Sequence, residues 1–487
     1  MSTTSEPVTN RHRDGVGFRS ERGPLLIALM LSTGLVAIDA TILATSVPSI
    51  VGDLGSFSQF PWLFSIYLLA QAVSVPVYAK LSDTFGRKPI ILLGIGLFLA
   101  GSILCGLAWS MPALIAFRVV QGLGAGAVQP MAVTIAGDIY SVEERAKVQG
   151  YLASVWAIAS VAGPLLGGLF SEFVSWRWIF FVNVPLCVIA GWMIFRRFHE
   201  QIEKTKHRID YAGSAVLTVA LSALILAALE GGQAWAWDSI QSIGAFALGG
   251  VLLVVFVLVE RRAAEPVLPL WVFSRRLLLT TTLISLGVGA ILLGVTSFVP
   301  TYLEGTIHIT PVVSGLAVAA ITLGWPLAAS QSGRLYLRIG FKRTILIGMV
   351  LAVAGALSLA LSAPRPDLLV VAASCFVIGL GLGLVATPSL IAAQSSVPWE
   401  ERGVVTGTNF FARSIGSALG VAVFGAIANG IYAGHPGGGG TSDPATVAVA
   451  SGAAFIAVLV CAVATVAAAA SMPDARLRSD GRVAVAG

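Results

Sequence analysis

The residues Ala79-Lys80-Leu81-Ser82-Asp83-Thr84-Phe85-Gly86-Arg87-Lys88-Pro89 form a short polar stretch between two long apolar runs. The runs cover residues 62–78 and 90–108, and each is long enough as a helix to cross a bilayer. A tight turn that carries an acid, a glycine and three cations between two such runs is a specific pattern. It predicts a charged loop on the cytoplasmic side of a membrane, because Lys and Arg concentrate there.

The composition indicates that lipid is the solvent for most of the chain. Of 487 residues, 56% are hydrophobic and 11% are charged, whereas a soluble protein carries roughly 25% charged residues. The net charge of +6 comes from cations in the loops between apolar runs, so it does not indicate nucleic-acid binding.

The cysteines and histidines do not predict a metal site, a disulfide framework or an enzyme. The four cysteines all lie in apolar runs, and the five histidines are scattered over tails and loops without ligand spacing. No nucleophile with a neighbouring base and no phosphate-binding loop is present in the sequence. We therefore expect no enzymatic activity and no cofactor.

The apolar runs predict an all-α polytopic membrane protein with fourteen transmembrane helices. The first predicted span covers 25–50 and the seventh covers 211–229. With the N-terminus inside, almost all Lys and Arg residues fall on the cytoplasmic side, which predicts cytoplasmic N- and C-termini. Arg177 and Arg365 fall outside, and Arg118 and Arg413 fall within spans.

An internal repeat divides the chain into two parallel halves. Two patterns recur at an offset of 257 residues and one at an offset of 254: Glu143-Glu144-Arg145 as Glu400-Glu401-Arg402, Gly122-x-Gly124-x-Gly126 as Gly379-x-Gly381-x-Gly383, and the Ala79–Lys88 pattern as Gly333–Lys342 with Leu337 in place of Asp83. The predicted domains are a cytoplasmic tail at 1–24, a six-helix bundle at 25–196, two inserted helices at 211–259, a second six-helix bundle at 277–470 and a cytoplasmic tail at 471–487.

The Ala79–Pro89 stretch resembles the loop between spans two and three of the major facilitator superfamily, and the 6+2+6 arrangement resembles its fourteen-span drug:proton antiporter branch. Ala79 stands where that family usually has Gly, and Thr84 where it often has Arg. The resemblance implies a major facilitator fold and a cytoplasmic gate between the halves. The gate residues would be Asp83, Gly86, Arg87, Lys88, Glu144 and Arg145, and Asp83 would meet a helix N-terminus of the second half. A solvated loop is the alternative for Glu144 and Arg145.

Asp39 and Arg118 are the candidates for proton coupling. Asp39 lies in the first span, where an ionisable group is costly and is kept for a function or a partner. Arg118 begins a pattern, Arg118-x-x-Gln121-Gly122-x-Gly124, that resembles the superfamily's proton-transfer motif. Arg118, Gln121, Ala125 and Gln129 recur at helical spacing, which predicts a polar stripe on a wet cavity. A structural ion pair between the two spans is the alternative.

Gly163-Pro164-Leu165-Leu166-Gly167-Gly168 resembles the signature that marks antiporters in the family, although Ala159 replaces a further expected Gly. Helix packing alone is the alternative for this motif.

The candidate substrate contacts are Gln129, Trp156, Trp325 and Glu304, with core packing or a solvated helix end as their alternatives. Arg413 is expected to snorkel to the cytoplasmic end of its span. The stretch 176–185 is expected to be a structural aromatic belt.

These features predict a proton-coupled antiporter that exports lipophilic drugs or toxic compounds, cationic or neutral, across the cytoplasmic membrane. Its partners would be a small amphiphilic substrate, protons and the lipid bilayer, without nucleic acid, and we expect a monomer. The proton gradient would be the energy source. Export of an endogenous metabolite, siderophore or lipid is one alternative, and a non-transporting sensor or assembly platform is another.

Overall fold

A computed structural model describes residues 16–55, 62–200, 211–231, 235, 236, 238–263, 271–433, 443–477 and 483–485. The helices are α1 (Gly23–Ile42), α2 (Val47–Leu54), α3 (Trp62–Phe85), α4 (Arg87–Gly106), α5 (Met111–Ile139), α6 (Val142–Phe173), α7 (Trp178–Phe181), α8 (Asn183–Arg197), α9 (Tyr211–Glu230), α10 (Ile240–Glu260), α11 (Trp271–Ser274), α12 (Arg276–Ile307), α13 (Pro311–Ile339), α14 (Phe341–Ser362), α15 (Leu368–Ser395), α16 (Arg402–Ala433) and α17 (Pro444–Ser471). Two 3₁₀ turns lie at Ala44–Ser46 and Trp399–Glu401, and the strands β1 (Ala475–Leu477) and β2 (Val483–Val485) pair antiparallel.

The prediction of an all-α membrane protein is confirmed by the length and apolarity of these helices. Within the described ranges, 13 helices are long and apolar enough to cross a membrane. The predicted seventh span, 211–229, coincides with α9, whose described apolar segment Ala212–Leu224 is shorter than the others.

The prediction of one continuous first span over 25–50 is wrong. The helix α1 ends at Ile42, and a 3₁₀ turn and the short helix α2 follow it. Pro48 is the second residue of α2. A proline has no backbone N–H to continue a preceding helix, but it is well suited to the first turn of a new one.

Two glycines with positive φ form equivalent turns in the two halves. Gly86 has φ 95° between α3 and α4, and Gly340 has φ 87° between α13 and α14. Residues with a side chain rarely adopt this conformation, so each turn depends on glycine. The two positions are the ones that the sequence repeat pairs at an offset of 254 residues.

The long helices pack as two groups that meet along two seams. The helices α1, α3, α4, α5, α6 and α8 form the N-terminal bundle, and α12 to α17 form the C-terminal bundle. Between the bundles, α3 packs against α16 and α6 packs against α13. We refer to these contacts as the α3–α16 seam and the α6–α13 seam. The domain bounds given from the sequence stay predictions.

The helix pair α9–α10 lies against the α3–α16 seam. Leu217, Leu221 and Phe256 of this pair pack with Val73 of α3 and Ala418 of α16 in one apolar cluster. The inserted pair therefore contacts both bundles at the same place, while much of α10 remains exposed, as expected for a surface that faces lipid.

Glycines bring α4 and α5 into backbone contact inside the N-terminal bundle. A Cβ atom at Gly101 would lie 2.5 Å from the backbone nitrogen of Gln121, whereas a Cβ at Gly96, also on α4, would meet no atom within 4 Å. Small residues allow this close approach of membrane helices.

We expect Gly101→Leu to destabilise the protein and Gly96→Leu to have little effect. A side chain at Gly101 would force α4 away from α5, and overpacking of this kind costs about 1–3 kcal/mol. The measurement is the thermal unfolding midpoint of the detergent-solubilised protein. Equal midpoints for the two variants would contradict the close packing of these helices.

Candidate functional site

A buried ion pair joins α1 to α5 in the N-terminal bundle. Arg118 Nη1 lies 2.6 Å from Asp39 Oδ2, and both residues are only 1% exposed. Gln121 donates from Nε2 to Asp39 Oδ1 at 2.7 Å, and its Oε1 accepts from Arg118 Nη1 at 2.7 Å. The three residues that the sequence assigned to proton coupling therefore form one hydrogen-bonded cluster. Their role in coupling stays a prediction.

Further polar groups from three other helices complete this cluster. Ser102 of α4 accepts from Gln121 Nε2 at 2.9 Å, and Asn183 of α8 lies 3.4 Å from Asp39 Oδ1. The ring of Tyr67 on α3 lies under the Arg118 guanidinium, with 4.1 Å between Cζ and the ring centroid. The sequence interpretation missed Ser102 and Asn183, although a lone Asn at the start of an apolar span was an available signal.

The predicted wet cavity along the Arg118 stripe is wrong for most of the stripe. Arg118, Gln121 and Ala125 are buried within the N-terminal bundle. Gln129 is half-buried and accepts a hydrogen bond of 3.3 Å from Gln71 on α3. The polar side chains of the stripe form hydrogen bonds with partners in their own bundle, as buried polar groups usually do.

The predicted antiporter motif forms the contact between α6 and the C-terminal end of α1. Three hydroxyls on this part of the chain donate to carbonyl groups of α6: Thr41 to Ala159 at 2.9 Å, Thr45 to Pro164 at 3.2 Å, and Ser46 to Gly167 at 3.2 Å. Gly163 and Gly167 meet Thr41, Ile42 and Thr45 so closely that a Cβ would not fit, whereas Gly168 faces open space. The motif therefore fixes α1 against α6, next to the α6–α13 seam.

The two bundles are joined at one end by a set of charged and polar contacts. We call this end the latch face and define it by residues 83–87, 137–145 and 395–404. Asp83 accepts hydrogen bonds from the backbone N–H groups of Gly403 at 3.0 Å and Val404 at 2.7 Å, in the first turn of α16. The sequence had placed this carboxylate at a helix N-terminus of the second half, and the structure has that contact.

Arg87 is buried on the latch face and contacts both bundles. Its guanidinium lies 2.8 Å from Asp83 and 3.1 Å from Asp138. It also donates to the carbonyl of Trp399 at 2.7 Å, and its Cζ lies 4.0 Å from the centroid of the Trp399 ring. These contacts fix its position against the turn that precedes α16.

Asp138 is a latch-face residue that the sequence interpretation missed. Its two oxygens pair with cations from the two bundles, Arg87 at 3.1 Å and Arg402 at 3.1 Å. An acid in the last turn of a membrane span was the available signal.

The other predicted gate residues differ in whether they reach the second bundle. Arg145 donates to the hydroxyl of Ser395 at 2.8 Å and so joins the bundles. The contacts of Glu144 stay in the N-terminal bundle because it caps its own helix, where it accepts from the Ser141 N–H at 2.9 Å.

Lys88 and Gly86 also act within the N-terminal bundle. The ammonium of Lys88 donates to the carbonyl of Phe195 at 2.8 Å, and its backbone N–H donates to Glu200 at 3.0 Å. Gly86 forms the turn between α3 and α4. A direct contact of these two residues with the second bundle is absent from the described hydrogen bonds, so their predicted gate role has only indirect support.

The candidate substrate contacts do not form one cluster. Trp156 is half-buried against the N-terminal core, and Trp325 is half-buried against the C-terminal core. Glu304 accepts from the hydroxyl of Ser314 at 2.5 Å near the far end of α12.

The expected snorkelling of Arg413 to the latch face is wrong. Its Nε is buried without a hydrogen-bond partner. Its Cζ lies 5.8 Å from the ring centroid of Trp325 and 4.9 Å from that of Phe410. These aromatic contacts hold the guanidinium beside Trp325 and Phe410 instead of at the end of the helix.

The stretch expected to form an aromatic belt also carries an ion pair at the end opposite the latch face. Trp176 donates to Asp53 at 3.0 Å, and Arg177 pairs with the same oxygen at 2.7 Å. The hydrogen bond from Arg177, followed by that from Trp176, holds the pKa of Asp53 below its usual value. This contact ties α2 to the turn before α7, as expected for a structural stretch. Asn183 differs, because its side chain belongs to the Asp39 cluster.

A family profile and similar known proteins show the family of this chain. The sequence profile of the Major Facilitator Superfamily matches residues 29–421. The chain is 36% identical over 413 residues to the multidrug transporter protein MdtP of Bacillus subtilis (strain 168), covering 85% of this chain and 76% of the relative. It is 35% identical over 410 residues to multidrug resistance protein 3 of the same organism, covering 84% and 80%. An efflux pump of Gibberella fujikuroi, FUS6, is 31% identical over 449 residues, covering 88% and 78%.

Two solved structures are similar in fold. The proton:xylose symporter XylE has a TM-score of 0.65 at 12% identity, covering 94% of this chain and 97% of its own. The human organic anion transporter MFSD10 (TETRAN) has a TM-score of 0.64 at 14% identity, covering 91% and 99%. The predicted major facilitator fold is confirmed, and so is the expectation that the chain is not an enzyme, because the matched family consists of transporters.

We expect Asp39→Leu and Arg118→Met to be strongly destabilising one at a time and close to neutral together. Each single change leaves one buried charge without its partner, which costs about 3–5 kcal/mol, whereas removal of both charges leaves none. The measurement is the thermal unfolding midpoint of the three variants.

Arg177→Gln is the matched control, because it breaks an ion pair whose side chains are 34% and 49% exposed and leaves the hydrogen bond from Trp176 to Asp53 in place. An exposed pair contributes about 0–1 kcal/mol. A double variant as unstable as either single variant would contradict the conclusion that charge pairing holds this cluster together.

Proposed function

The chain belongs to the major facilitator superfamily, and we propose that this member is a proton-coupled exporter of lipophilic compounds. The likeness to two Bacillus multidrug transporters, at 36% and 35% identity over more than four fifths of the chain, carries the export part of the proposal. The match to the antiporter motif at Gly163–Gly168 supports the same direction of transport. Both observations favour a transporter over a sensor or an assembly platform.

The distribution of contacts between the bundles fits alternating access. The hydrogen bonds between the bundles that involve described residues lie on the latch face or extend along α6 and α13 as far as the pair Ser160–Thr322, which are 3.1 Å apart. Beyond this pair, toward the opposite end, no hydrogen bond between two described residues joins the bundles. In our proposal this is a state closed at the latch face, and rocking of the bundles opens it.

Protonation of Asp39 is the proposed coupling step. The carboxylate accepts hydrogen bonds from Arg118 and Gln121, and a proton on it would remove the charge that balances Arg118. Two residues further along α1, Thr41 donates to the Ala159 carbonyl of α6. A change at Asp39 would thus reach α6, and through it the α6–α13 seam.

The proposed cargo is a small amphiphile that enters from the cytoplasm or the adjacent leaflet and leaves outside. Lipophilic drugs are the first candidate class, and an endogenous metabolite, siderophore or lipid is the second. In our proposal the protein works as a monomer in the cytoplasmic membrane, with both termini and the latch face in the cytoplasm. The proton gradient supplies the energy, and no cofactor is required.

We expect purified protein in proteoliposomes to accumulate a lipophilic dye against its gradient only while a proton gradient is present. A protonophore should abolish accumulation, whereas exchange of labelled for unlabelled dye without any gradient should continue. The double variant Asp39→Leu/Arg118→Met should keep the exchange and lose the accumulation, because it folds but cannot be protonated at this site.

Ser154→Ala is the control, since the Ser154 hydroxyl donates only within its own helix, to the Tyr151 carbonyl at 2.7 Å. Full accumulation by the double variant would move the coupling site away from Asp39. Accumulation that persists with the protonophore would rule out proton coupling.

A further inference from the structure

Arg413 is a cation within the membrane that has no counterion in the described part of the protein. It lies eleven residues into α16, about 16 Å along a helix axis and therefore near the middle of the membrane. No ion pair or hydrogen bond to its guanidinium is present among the described residues, and its Nε is buried without a partner. Its neighbours are the rings of Trp325 and Phe410.

The arginines that are buried among the described residues, Arg87, Arg118 and Arg145, all have partners. Arg118 pairs with Asp39 at 2.6 Å, and Arg87 pairs with Asp83 at 2.8 Å and Asp138 at 3.1 Å. Arg145 donates to Ser395 at 2.8 Å. A cation at membrane depth is costly, and contacts with aromatic rings offset only part of the cost of removing it from water. Arg87 and Arg118 each have a carboxylate partner, whereas Arg413 has none among the described residues.

The guanidinium lies where the two bundles meet. Phe410 belongs to the C-terminal bundle but packs against the core of the N-terminal bundle. Trp325 lies three residues after Thr322, which contacts Ser160 across the α6–α13 seam. Residues three apart on a helix share a face, so Trp325 is directed toward the same seam.

We propose that Arg413 binds the acidic group of a substrate, an amphiphilic carboxylate whose aromatic or apolar body packs against Trp325 and Phe410. The guanidinium presents parallel N–H donors that fit the two oxygens of a carboxylate. A carboxylate would supply the missing counterion, whereas a lipophilic cation at the same place would be repelled. This inference rests on the proposed export function. It narrows the proposed cargo from small amphiphiles to those that carry an acid, in place of the cationic or neutral compounds expected from the sequence.

The test uses two dyes with the same ring skeleton and different charge, fluorescein with a free carboxylate and the cationic ester rhodamine 123. Binding to the full-length protein in phosphatidylcholine nanodiscs is measured by fluorescence polarisation, without a proton gradient. We expect the wild type to bind fluorescein more tightly than rhodamine 123. Arg413→Gln should weaken fluorescein binding about tenfold or more and should leave rhodamine 123 unchanged or tighter, whereas Arg413→Lys should keep the preference for fluorescein.

Arg365→Gln is the matched control, since Arg365 lies exposed between α14 and α15 of the same bundle. It should change the binding of neither dye. The thermal unfolding midpoint gives a second readout: Arg413→Gln should be as stable as the wild type or more stable without ligand, because it removes an unpaired charge. A loss of stability together with unchanged dye binding would assign Arg413 to packing and overturn the proposal.

Two further results would also overturn the binding site: equal binding of the two dyes by the wild type, or no binding of either. Nanodiscs with added phosphatidylglycerol separate a substrate from a lipid occupant. Loss of fluorescein binding in that lipid would show that a lipid phosphate occupies Arg413, and the assignment to cargo would fail.

The two proposals can fail separately. If dye binding depends on Arg413 but the protein accumulates no dye in proteoliposomes, the binding site stands and the export function is rejected. If the protein accumulates dye and Arg413→Gln does not change this accumulation, the export function stands and the binding site is rejected.

Discussion

The contact between the Asp83 carboxylate and the first turn of α16 is the interaction on which the arrangement of the two bundles most depends. The N-terminus of a helix has unpaired N–H groups and a partial positive charge, and an anion there contributes about 0.3–1 kcal/mol when exposed and up to about 2 kcal/mol when partly buried. Here the anion comes from one bundle and the helix from the other. Arg87 lies against the same carboxylate and reaches Trp399, so the charge is balanced within the contact. A carboxylate and a helix end can separate without leaving strained backbone, which suits the opening and closing that we propose for this contact.

The buried charges differ in how completely they are satisfied. The latch face balances Asp83 and Asp138 with Arg87 and Arg402 across the bundles. The Asp39–Arg118 cluster is balanced within one bundle and sealed from its surroundings. Because breaking one partner of a buried pair is far costlier than removing both, each cluster holds its helices together as long as both of its charges are present. Arg413 stands apart, since the described residues give it aromatic neighbours and no anion.

The sequence predicted which charged groups pair, but it did not predict whether water or another helix surrounds them. The pattern around Asp39 implied an Arg118 partner, and this contact is present because an ion at membrane depth has very few acceptable neighbours. The pattern around Asp83 implied a helix N-terminus of the second half, and that contact is present too. The location of the cluster could not be predicted from helical spacing. The spacing gives the face of α5 that carries Gln121 but not whether that face meets water or another helix.

Other features of the candidate site depend on tertiary contacts that no local pattern encodes. Asp138 and Arg402 lie 264 residues apart in the chain, so their pairing follows from the packing of two bundles and not from either segment. The break after Ile42 depends on Pro48 together with the hydroxyl contacts to α6. The measurement that tests the central claim most directly is a pulsed spin-label distance across the latch face, between labels at Lys147→Cys and Arg343→Cys. The account predicts a single short distance, a shift of most molecules to a longer distance in Asp83→Ala, and no shift in Thr84→Ala, whose hydroxyl donates only to Lys80 of its own helix. An unchanged distance in Asp83→Ala would contradict it.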